Sequence, residues 1–566
     1  MINDTITIEI SSIERLKLMN HPILAIEIGA GDLNLINNWV SQGNLKNLAK
    51  LLEGGASGTL ENIDYYTTET KWTIFLTGCM PKTTGYWGPL KFHDGTYEMQ
   101  RQQQSYNFTQ YPPFYSLAKE SQIAVFDIPQ TIVSDQVQGV QVLGWGCHAP
   151  YVVNQSQPPQ LLEDLVSKFG EHPTFRRDFI NNWWDPKIVT KFCNDLKTGI
   201  SRRTDICKFL LKQQNWDLFL TGFSEPHPAG HHYYHLSQPD HPLYPYKDQN
   251  GAVDDLMLEL YEATDSAIGE LIEAAPKDAH ILIYSLQGMT NNSTDLPSMV
   301  FLPELLYRFS FPGKVALAAG EKDQLSPPIF PHLDRKTWAS EVWKLKWDRN
   351  PIQRFLRGRV SDEFQEAIDQ WLSAKNSPDL DSPFQLYKEK SLYAWQPTMW
   401  YKPFWSKMKA FALPTFAVEG FMRINLKDRE PNGIVEPENY DKLCEELTQH
   451  LYDLKDARTG KSVIKKVVRT RENILNQDPD LPNADLVVVM ADCPSDVVDS
   501  PQFGRIGPVP YHRTGGHPPE GFLIAKGLGI APNSQLPKGH VLDLPPTILK
   551  LMGVPSPEYF EGKSLL

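Results

Sequence analysis

Short apolar runs that alternate with amphipathic helical patterns are the sequence feature that most constrains the fold. The runs are rich in β-branched residues and too short for buried helices, so we expect them to be buried strands. They are Ile23 to Ile28, Ile123 to Ile128, Trp216 to Gly222, His280 to Ser285 and Ala484 to Met490. Helical patterns lie between them, most clearly from Asp32 to Leu52 and from Asp254 to Ala274. This alternation predicts an α/β fold with a mostly parallel central sheet and helices on both faces.

The middle of the chain breaks this alternation. Between about residues 300 and 420 the sequence is dense in proline, tryptophan and charge, as in Trp343-Lys344-Leu345-Lys346-Trp347. A chain of 566 residues has room for one large domain with an insertion. We therefore predict the N-terminal part of an α/β domain at residues 1–300, an inserted cap or subdomain at 301–420, and the C-terminal part of the same domain at 421–566.

Charge and composition exclude several classes of partner. The chain has 55 Lys and Arg against 68 Asp and Glu, a net charge of -13, so no basic field holds a nucleic-acid polymer or an anionic membrane. The sequence has neither a secretory signal pattern nor an apolar stretch of membrane-spanning length. Its six cysteines are scattered and form no CxxC pair, so we expect buried free thiols. The prediction is a cytoplasmic protein with a small-molecule substrate.

Unusual polar residues follow several of the predicted strands or lie in loops near them. In open parallel sheets, ligands bind beyond the carboxyl ends of the strands, so these residues are candidates for a site. Four segments share this placement: Glu27 to Asp32, Tyr66 to Trp72, Thr221 to His231 and Arg513 to His517.

The order of these segments, together with Ser285-Leu286-Gln287-Gly288-Met289, resembles the type I phosphodiesterase and nucleotide pyrophosphatase branch of the alkaline phosphatase superfamily. The resemblance covers nearly the whole chain and is particularly clear in Leu51 to Gly58, Thr68 to Trp72, Thr77-Gly78 and Arg513 to Ile530. It implies an alkaline phosphatase-like fold. It also implies two zinc ions beside a threonine nucleophile, and cleavage of phosphodiesters or related esters.

One metal site is implied at His227, His231 and His517. The family pattern has an aspartate at the first of these positions, where this chain has His227. All three residues are competent ligands, and three neutral imidazoles suit a zinc ion that keeps an open fourth position. We therefore predict one bound zinc ion at these histidines.

The second metal site has lost most of its implied ligands. Its positions in this chain are Gly29, Thr68, Leu286 and Gln287. Glycine and leucine offer no ligand atom and glutamine replaces a histidine poorly, so we expect no metal at this second site.

Thr68 takes the position of the nucleophile, although a helix N-cap is an alternative interpretation. Lys71 stands where relatives often carry asparagine, and its ammonium is a candidate to replace part of the missing metal charge. Glu27 is an alternative compensating group, since it faces the same side of the strand as Gly29. Glu225 is a candidate to orient a histidine or to act as a general base.

Two arginines and a glutamine are candidates for substrate binding. Arg423 and Arg513 are suited to a bidentate clamp on an anion, and each has a structural salt bridge as its alternative. Gln287 either hydrogen-bonds the substrate or is a structural remnant.

The leading functional prediction is a metal-dependent hydrolase that acts on a phosphate diester or a related anionic ester. Its nucleophile is Thr68, or a water molecule if Thr68 is not used. One alternative is a catalytically altered pseudoenzyme or binding protein that keeps the anion pocket. Another is a transferase or lyase in a biosynthetic pathway, and fold alone does not choose among them.

Overall fold

The computed structural model describes most of the chain from residue 21 onward. Outside the described residues lie 1–20, 94, 102–104, 147–153, 176–178, 322, 332, 334–336, 349–350, 358, 360–363, 365–378, 416–418 and 472–480. Five of the six cysteines are buried free thiols, as predicted, and Cys147 lies outside the described residues. No described helix has the length and apolar character needed to cross a membrane.

A ten-stranded, mostly parallel sheet forms the centre of the molecule. Its strands are β1 (Ile23–Ile28), β2 (Ala56–Glu61), β3 (Gln122–Phe126), β4 (Gln138–Leu143), β5 (Gln155–Gln157), β6 (Leu218–Phe223), β7 (His280–Ser285), and, after the four strands of a second sheet, β12 (Gly521–Lys526), β13 (Ser534–Gln535) and β14 (Gly539–His540). The order is β13-β2-β12-β7-β1-β6-β3-β4-β5, and β14 also pairs with β2. Strands β7, β1, β6, β3 and β4 run parallel, whereas β12 is antiparallel to both of its neighbours. The predicted fold class is confirmed.

Helices cover both faces of this sheet. The longer ones are α1 (Leu33–Ser41), α2 (Lys46–Gly54), α3 (Thr67–Thr77), α4 (Leu161–Phe169), α5 (Pro186–Leu211), α6 (Pro226–Ser237), α7 (Leu256–Ala274), α8 (Leu302–Ser310), α9 (Tyr440–Tyr452) and α10 (Leu544–Leu551). The predicted helix from Asp254 to Ala274 is confirmed as α7. The continuous helix predicted from Asp32 to Leu52 is wrong. It divides into α1 and α2 because Gly43 and Leu45 take left-handed φ values of 88° and 50°.

A separate antiparallel sheet accounts for one wrong strand prediction. The run from Ala484 to Met490 is not a strand of the parallel sheet. It forms β11 of a four-stranded antiparallel sheet, whose strands are β8 (Ala410–Leu413), β9 (Gly420–Ile424), β10 (Ile464–Arg469) and β11 (Leu486–Met490). Strand β11 lies between β9 and β10. Apolar content alone does not separate a central antiparallel strand from a parallel one, because both are buried on two faces.

The predicted end of the insertion at residue 420 coincides with the start of β9. Strand β9 pairs with β8 before that boundary and with β11 after it. The division at 300 and 420 remains a prediction, and the antiparallel sheet draws its strands from both sides of residue 420.

The parallel strands bring the candidate site together. Strands β1, β3, β6 and β7 point the same way, so their carboxyl ends meet at one edge of the sheet. Gly29, Asp127, Glu225 and Gln287 follow these four ends. This is the edge at which ligands of open α/β sheets bind.

A buried ion cluster lies beneath this edge. The Arg203 guanidinium on α5 donates to Asp127 Oδ2 at 2.7 Å and to Glu225 Oε1 at 3.0 Å, and all three side chains are almost fully buried. Asp127 also accepts from the main-chain N–H groups of Trp145 and Gly146, at 2.8 and 3.0 Å. Arg203 thereby joins the end of β3 to the start of α6.

We expect Arg203→Met to destabilise the protein strongly. Methionine fills a similar volume but removes the cation that Asp127 and Glu225 share in the core, a change that costs about 3–5 kcal/mol. Urea denaturation measures the difference in the free energy of unfolding. Lys191→Met, which removes an exposed partner of Asp195, is the matched control and should leave stability nearly unchanged. A stability for Arg203→Met equal to that of this control would contradict the interpretation.

Candidate functional site

Three buried histidines form the centre of the candidate site. His227 and His231 are four residues apart on α6, so they lie on one face of the helix, one above the other. His517 follows a two-residue strand, Gly515–Gly516, which pairs with Thr290–Asn291 beyond the end of β7. All three side chains are buried.

The ligand atoms of these histidines face one another. His227 Nε2 lies 2.8 Å from His517 Nε2 and 3.2 Å from His231 Nε2. The second ring nitrogen of two histidines is held by the main chain: His231 Nδ1 lies 2.8 Å from Gly515 O, and His517 Nδ1 lies 3.0 Å from Gly288 O. A carbonyl can only accept, so each of these two Nδ1 atoms carries the proton and leaves its Nε2 as an acceptor. The Nε2 atoms of the three histidines lie close enough together to share one ion.

This arrangement fits a tetrahedral metal ion. Ligand nitrogens at zinc distances of about 2.0–2.1 Å lie about 3.3 Å apart in a tetrahedron, so the observed separations need only small side-chain adjustments. Burial, with the nearby Arg513 charge, lowers the pKa of His231 well below its usual value. This imidazole is therefore neutral at physiological pH, as a metal ligand must be.

Arg513 lies against the histidine cluster. Its Nε and Nη2 form a bidentate ion pair with Asp295 at 2.8 and 2.7 Å, while Nη1 donates to His231 Nε2 at 3.0 Å. Burial alone would raise the pKa of Asp295, but Arg513 and His512 hold it well below its usual range. Arg513 is thus a fixed positive group at the site, and a cation that binds His231 Nε2 would have to displace its hydrogen bond.

Glu225 precedes α6 but does not orient a histidine of the cluster. Its Oε1 accepts from Arg203 and from His172 Nε2, each at 3.0 Å. Burial would raise the pKa of this carboxyl, but Arg203 and His172 outweigh that effect and lower it. The carboxylate therefore holds the buried ion cluster in place. A role as general base remains a prediction.

Three of the positions where the family resemblance implies ligands for a second metal carry Gly29, Leu286 and Gln287 in this chain. A Cβ on Gly29 would lie 2.9 Å from Phe223 O and 3.1 Å from Ser224 Cα, so the backbone leaves no space for a side chain there. Leu286 packs in the apolar core on the α3 side of the sheet. Gln287 is buried, and both polar atoms of its amide lack a hydrogen-bond partner. These residues do not fit a second metal ion.

Thr68 is the second residue of α3, and the N-cap position belongs to Tyr66. The interpretation of Thr68 as a helix cap is therefore wrong. Its hydroxyl oxygen is buried and has no hydrogen-bond partner. A buried hydroxyl without a partner is costly, so this atom is available to a ligand or a reacting group.

Lys71 on α3 and Glu27 on β1 are both buried, and their charges influence each other. Burial lowers the pKa of Lys71 and raises that of Glu27, and each charge partly offsets the effect on the other. The Glu27 carboxylate lies over Gly222 of β6, where a Cβ would approach its Oε2 to 3.0 Å. Lys71 is one helical turn from Thr68, on the same side of α3.

Arg423 lies on β9 in the antiparallel sheet. Its guanidinium donates to Glu430 and to Asn483 O and packs over the ring of Phe92. These contacts are those of a structural ion pair, the alternative interpretation. The structure does not bring Arg423 into contact with the histidine cluster, and its role in substrate binding stays a prediction.

Three residues of the ion cluster and one at the histidines were missed by the sequence analysis: Asp127, His172, Arg203 and Asp295. Asp127 was placed inside the predicted strand Ile123 to Ile128, whereas the observed strand ends at Phe126, so the rule that ligands bind beyond strand ends would have found Asp127 only with the correct strand end. Arg203 and His172 lie in a helix and a loop with no distinguishing pattern. Asp295 is found only through its contacts with Arg513.

Comparison with known families identifies the chain. The family model for type I phosphodiesterase / nucleotide pyrophosphatase matches residues 29–324, more than half of the 566 residues. The chain belongs to this family. The predicted relationship is confirmed, and Thr68, Lys71, His227 and His231 lie within the matched range. His517 lies beyond it.

Two solved structures are similar to this chain. Phosphonoacetate hydrolase from Sinorhizobium meliloti 1021, in complex with phosphonoformate, is 11% identical with a TM-score of 0.43, covering 94% of this chain and 95% of that one. Murine ectonucleotide pyrophosphatase / phosphodiesterase 5 is 10% identical with a TM-score of 0.43, covering 96% and 97%. None of the curated proteins matches the chain significantly.

We expect Gly29→Asp to fail to restore the second metal site of this phosphodiesterase family member. The new side chain would collide with the backbone at Phe223 and Ser224, and such overpacking costs about 1–3 kcal/mol. Thermal unfolding measures the loss of stability, and mass spectrometry measures the metal content. Asn37→Asp, which places the same side chain at an exposed position, is the control. A stable Gly29→Asp variant with additional bound metal would contradict this prediction.

Proposed function

We propose that the protein is a metal-dependent phosphoester hydrolase that acts on a phosphate diester or a related anionic ester. A single zinc ion would be held by His227, His231 and His517. The observation that carries this proposal is the convergence of three Nε2 atoms, two of them on rings whose Nδ1 protons are held by main-chain carbonyls. Carbonyl partners of this kind orient imidazoles as metal ligands.

The residues support one metal better than two. Three imidazoles are a donor set that zinc prefers, and they leave one coordination position open. When bound, such an ion would supply Lewis-acid stabilisation to the charge that develops on the ester.

Substrate binding is proposed for Arg513, Gln287 and Lys71. Arg513 is held by Asp295 beside the histidines, so its guanidinium is oriented before an anion arrives. The unpartnered amide of Gln287 is able to donate to an ester oxygen. These local groups attract an anion in a chain whose net charge is -13.

Thr68 is the proposed nucleophile. Its buried hydroxyl lies in the first turn of α3, where the main-chain N–H groups and the helix dipole favour negative charge. The Lys71 ammonium, one turn further along, would stabilise charge on the Thr68 oxygen. Glu27 compensates this ammonium, so Lys71 acts through its local field without adding net charge to the core.

A second candidate function follows from the contact between Arg513 and His231. The guanidinium donates to the lone pair that a metal ligand needs, so the pocket is also compatible with a metal-free protein that binds an anion through Arg513. The loss of ligand side chains at Gly29 and Leu286 favours the same candidate. The metal content of the purified protein separates the two functions.

We expect the protein to retain about one zinc ion per chain after zinc loading and removal of free metal. His227→Ala should lose this ion because only two of the three imidazoles remain. His241→Ala is the matched control, since His241 is a buried histidine that bonds to Thr514 O outside the cluster. Inductively coupled plasma mass spectrometry measures the stoichiometry. No zinc in the loaded protein would favour the anion-binding candidate, and two ions per chain would refute the single site.

We expect Thr68→Ala and Lys71→Ala to lower the rate of phosphodiester cleavage by about 100-fold or more, since each removes a group that acts on the developing charge. Initial rates on bis(p-nitrophenyl) phosphate measure kcat and KM. Lys82→Ala, which changes an exposed lysine just after α3, is the control. Full activity of Thr68→Ala would assign the attack to water, and full activity of Lys71→Ala would remove the ammonium from the mechanism.

A further inference from the structure

A carboxylate from the antiparallel sheet reaches the first turn of α3. Glu419 directly precedes β9 and is 2% exposed. Its Oε1 accepts a hydrogen bond from Thr67 Oγ1 at 3.1 Å. Glu419 therefore satisfies a donor at the start of the helix that carries Thr68.

The turn that precedes α3 needs such support. Tyr66 is the N-cap residue, with a left-handed φ of 60° and no side-chain cap of its own. Residues other than glycine pay for this conformation and keep it only where their surroundings enforce it. The Tyr66 ring stacks on Phe421 of β9, with ring centroids 4.1 Å apart and an interplanar angle of 20°. Glu419 and Phe421 thus hold the turn from the same strand end.

The second oxygen of Glu419 is not used by the fold. Glu419 Oε2 is buried and has no hydrogen-bond partner, and the same is true of Oγ1 of Thr68, the next residue after Thr67. Burial raises the pKa of Glu419 to about 7, although the hydrogen bonds from Thr67 and Tyr66 lower it in part. A carboxyl that only capped a helix would gain nothing from an unpartnered buried oxygen.

The other described carboxylates near α3 have different partners. Glu27 approaches from β1 and is coupled to Lys71. Asp64, in the loop before α3, pairs with Lys466 at 2.8 Å and is largely exposed. Glu419 is thus the carboxylate that contacts the residue adjacent to Thr68.

We propose that Glu419 is a positioning residue for the Thr68 hydroxyl, through which the antiparallel sheet holds the first turn of α3 in place for reaction. This inference rests on the proposed function, because it assigns the reacting oxygen to Thr68. Loss of the Glu419 contacts frees the Tyr66 turn and lets the hydroxyl leave its reactive position. Substrate affinity, which depends on Arg513 and Gln287, is unaffected.

The kinetic test uses the full-length, zinc-loaded protein with bis(p-nitrophenyl) phosphate. Glu419→Ala and Thr67→Val should lower kcat by about 10-fold to 100-fold and change KM by less than about twofold. Glu419→Gln keeps an acceptor for the Thr67 hydroxyl and should recover most of kcat. Asp496→Ala is the control. It also removes a buried carboxylate, but that carboxylate pairs with Arg458 and not with α3. Its kcat should match that of the wild type.

Hydrogen exchange followed by mass spectrometry provides a readout that needs no activity. The amides at the start of α3 should exchange about 10-fold faster in Glu419→Ala than in the wild type, and at the wild-type rate in Asp496→Ala. If the wild type cleaves no ester but this difference in exchange is found, the proposed function fails, and what remains is the support that Glu419 gives to the first turn of α3. A folded Glu419→Ala variant with wild-type kcat and wild-type exchange would overturn the proposal. So would a Glu419→Gln variant as impaired as Glu419→Ala in both kcat and KM, since that pattern indicates structural damage alone.

Discussion

The two ion pairs of Arg203 are the interaction on which the geometry of the site depends. Arg203 lies on α5, whereas its partners follow two different strands of the central sheet, Asp127 after β3 and Glu225 after β6. Buried charges are tolerated only when they are paired, so these three side chains fix the distance between a helix and two strand ends. Helix α6 starts from this anchored point, and its first two turns carry His227 and His231.

The charges at the site are arranged in layers. The lowest layer is the Arg203 cluster, next to which the Glu27 and Lys71 pair occupies the interior between β1 and α3. The rings of His231 and His517 take their orientation from main-chain carbonyls, and Arg513 also contacts His231. Main-chain partners are less mobile than side chains, so the imidazoles are oriented before any metal binds. The three histidines are therefore ordered by the fold itself, without the residues at Gly29 and Leu286.

Single strands and residues in a recognisable spacing were predictable from the sequence. Strands β1 and β7 were predicted residue for residue, because each is a short, mostly apolar run that contains isoleucine. The three histidines were predicted from family spacing, and the structure brings their side chains together. The break between α1 and α2 was not predicted, since it depends on left-handed residues inside an otherwise continuous apolar stripe. Strand β11 was assigned to the wrong sheet for a different reason. Its pairing with β9 and β10 decides which sheet it joins, and a local sequence pattern does not show this pairing.

Contacts between distant segments were the part that the sequence did not indicate. Glu419 and Asp295 carry no motif, and their importance follows from what they touch after folding. Lys71 was identified by its position in the family pattern, but its partner Glu27 was only one of two candidate compensations, and the structure shows both groups together. A sequence pattern describes the residues within one helix or strand. A site is formed by residues from different elements, and the pattern does not show which of them come into contact.

The pairing of His227 with His517 has a consequence for how the protein reaches its native state. These two ligand atoms are 2.8 Å apart in space and 290 residues apart in the chain. During synthesis, α6 and most of the parallel sheet emerge well before residue 517, so the nascent N-terminal half holds only two of the three imidazoles. The complete triad forms when the segment before β12 inserts next to β7. Contacts of such long range close late in folding, because their loop entropy must be offset by structure that is already formed. Completion of the histidine triad therefore requires the segment that carries His517 to be in place on the central sheet.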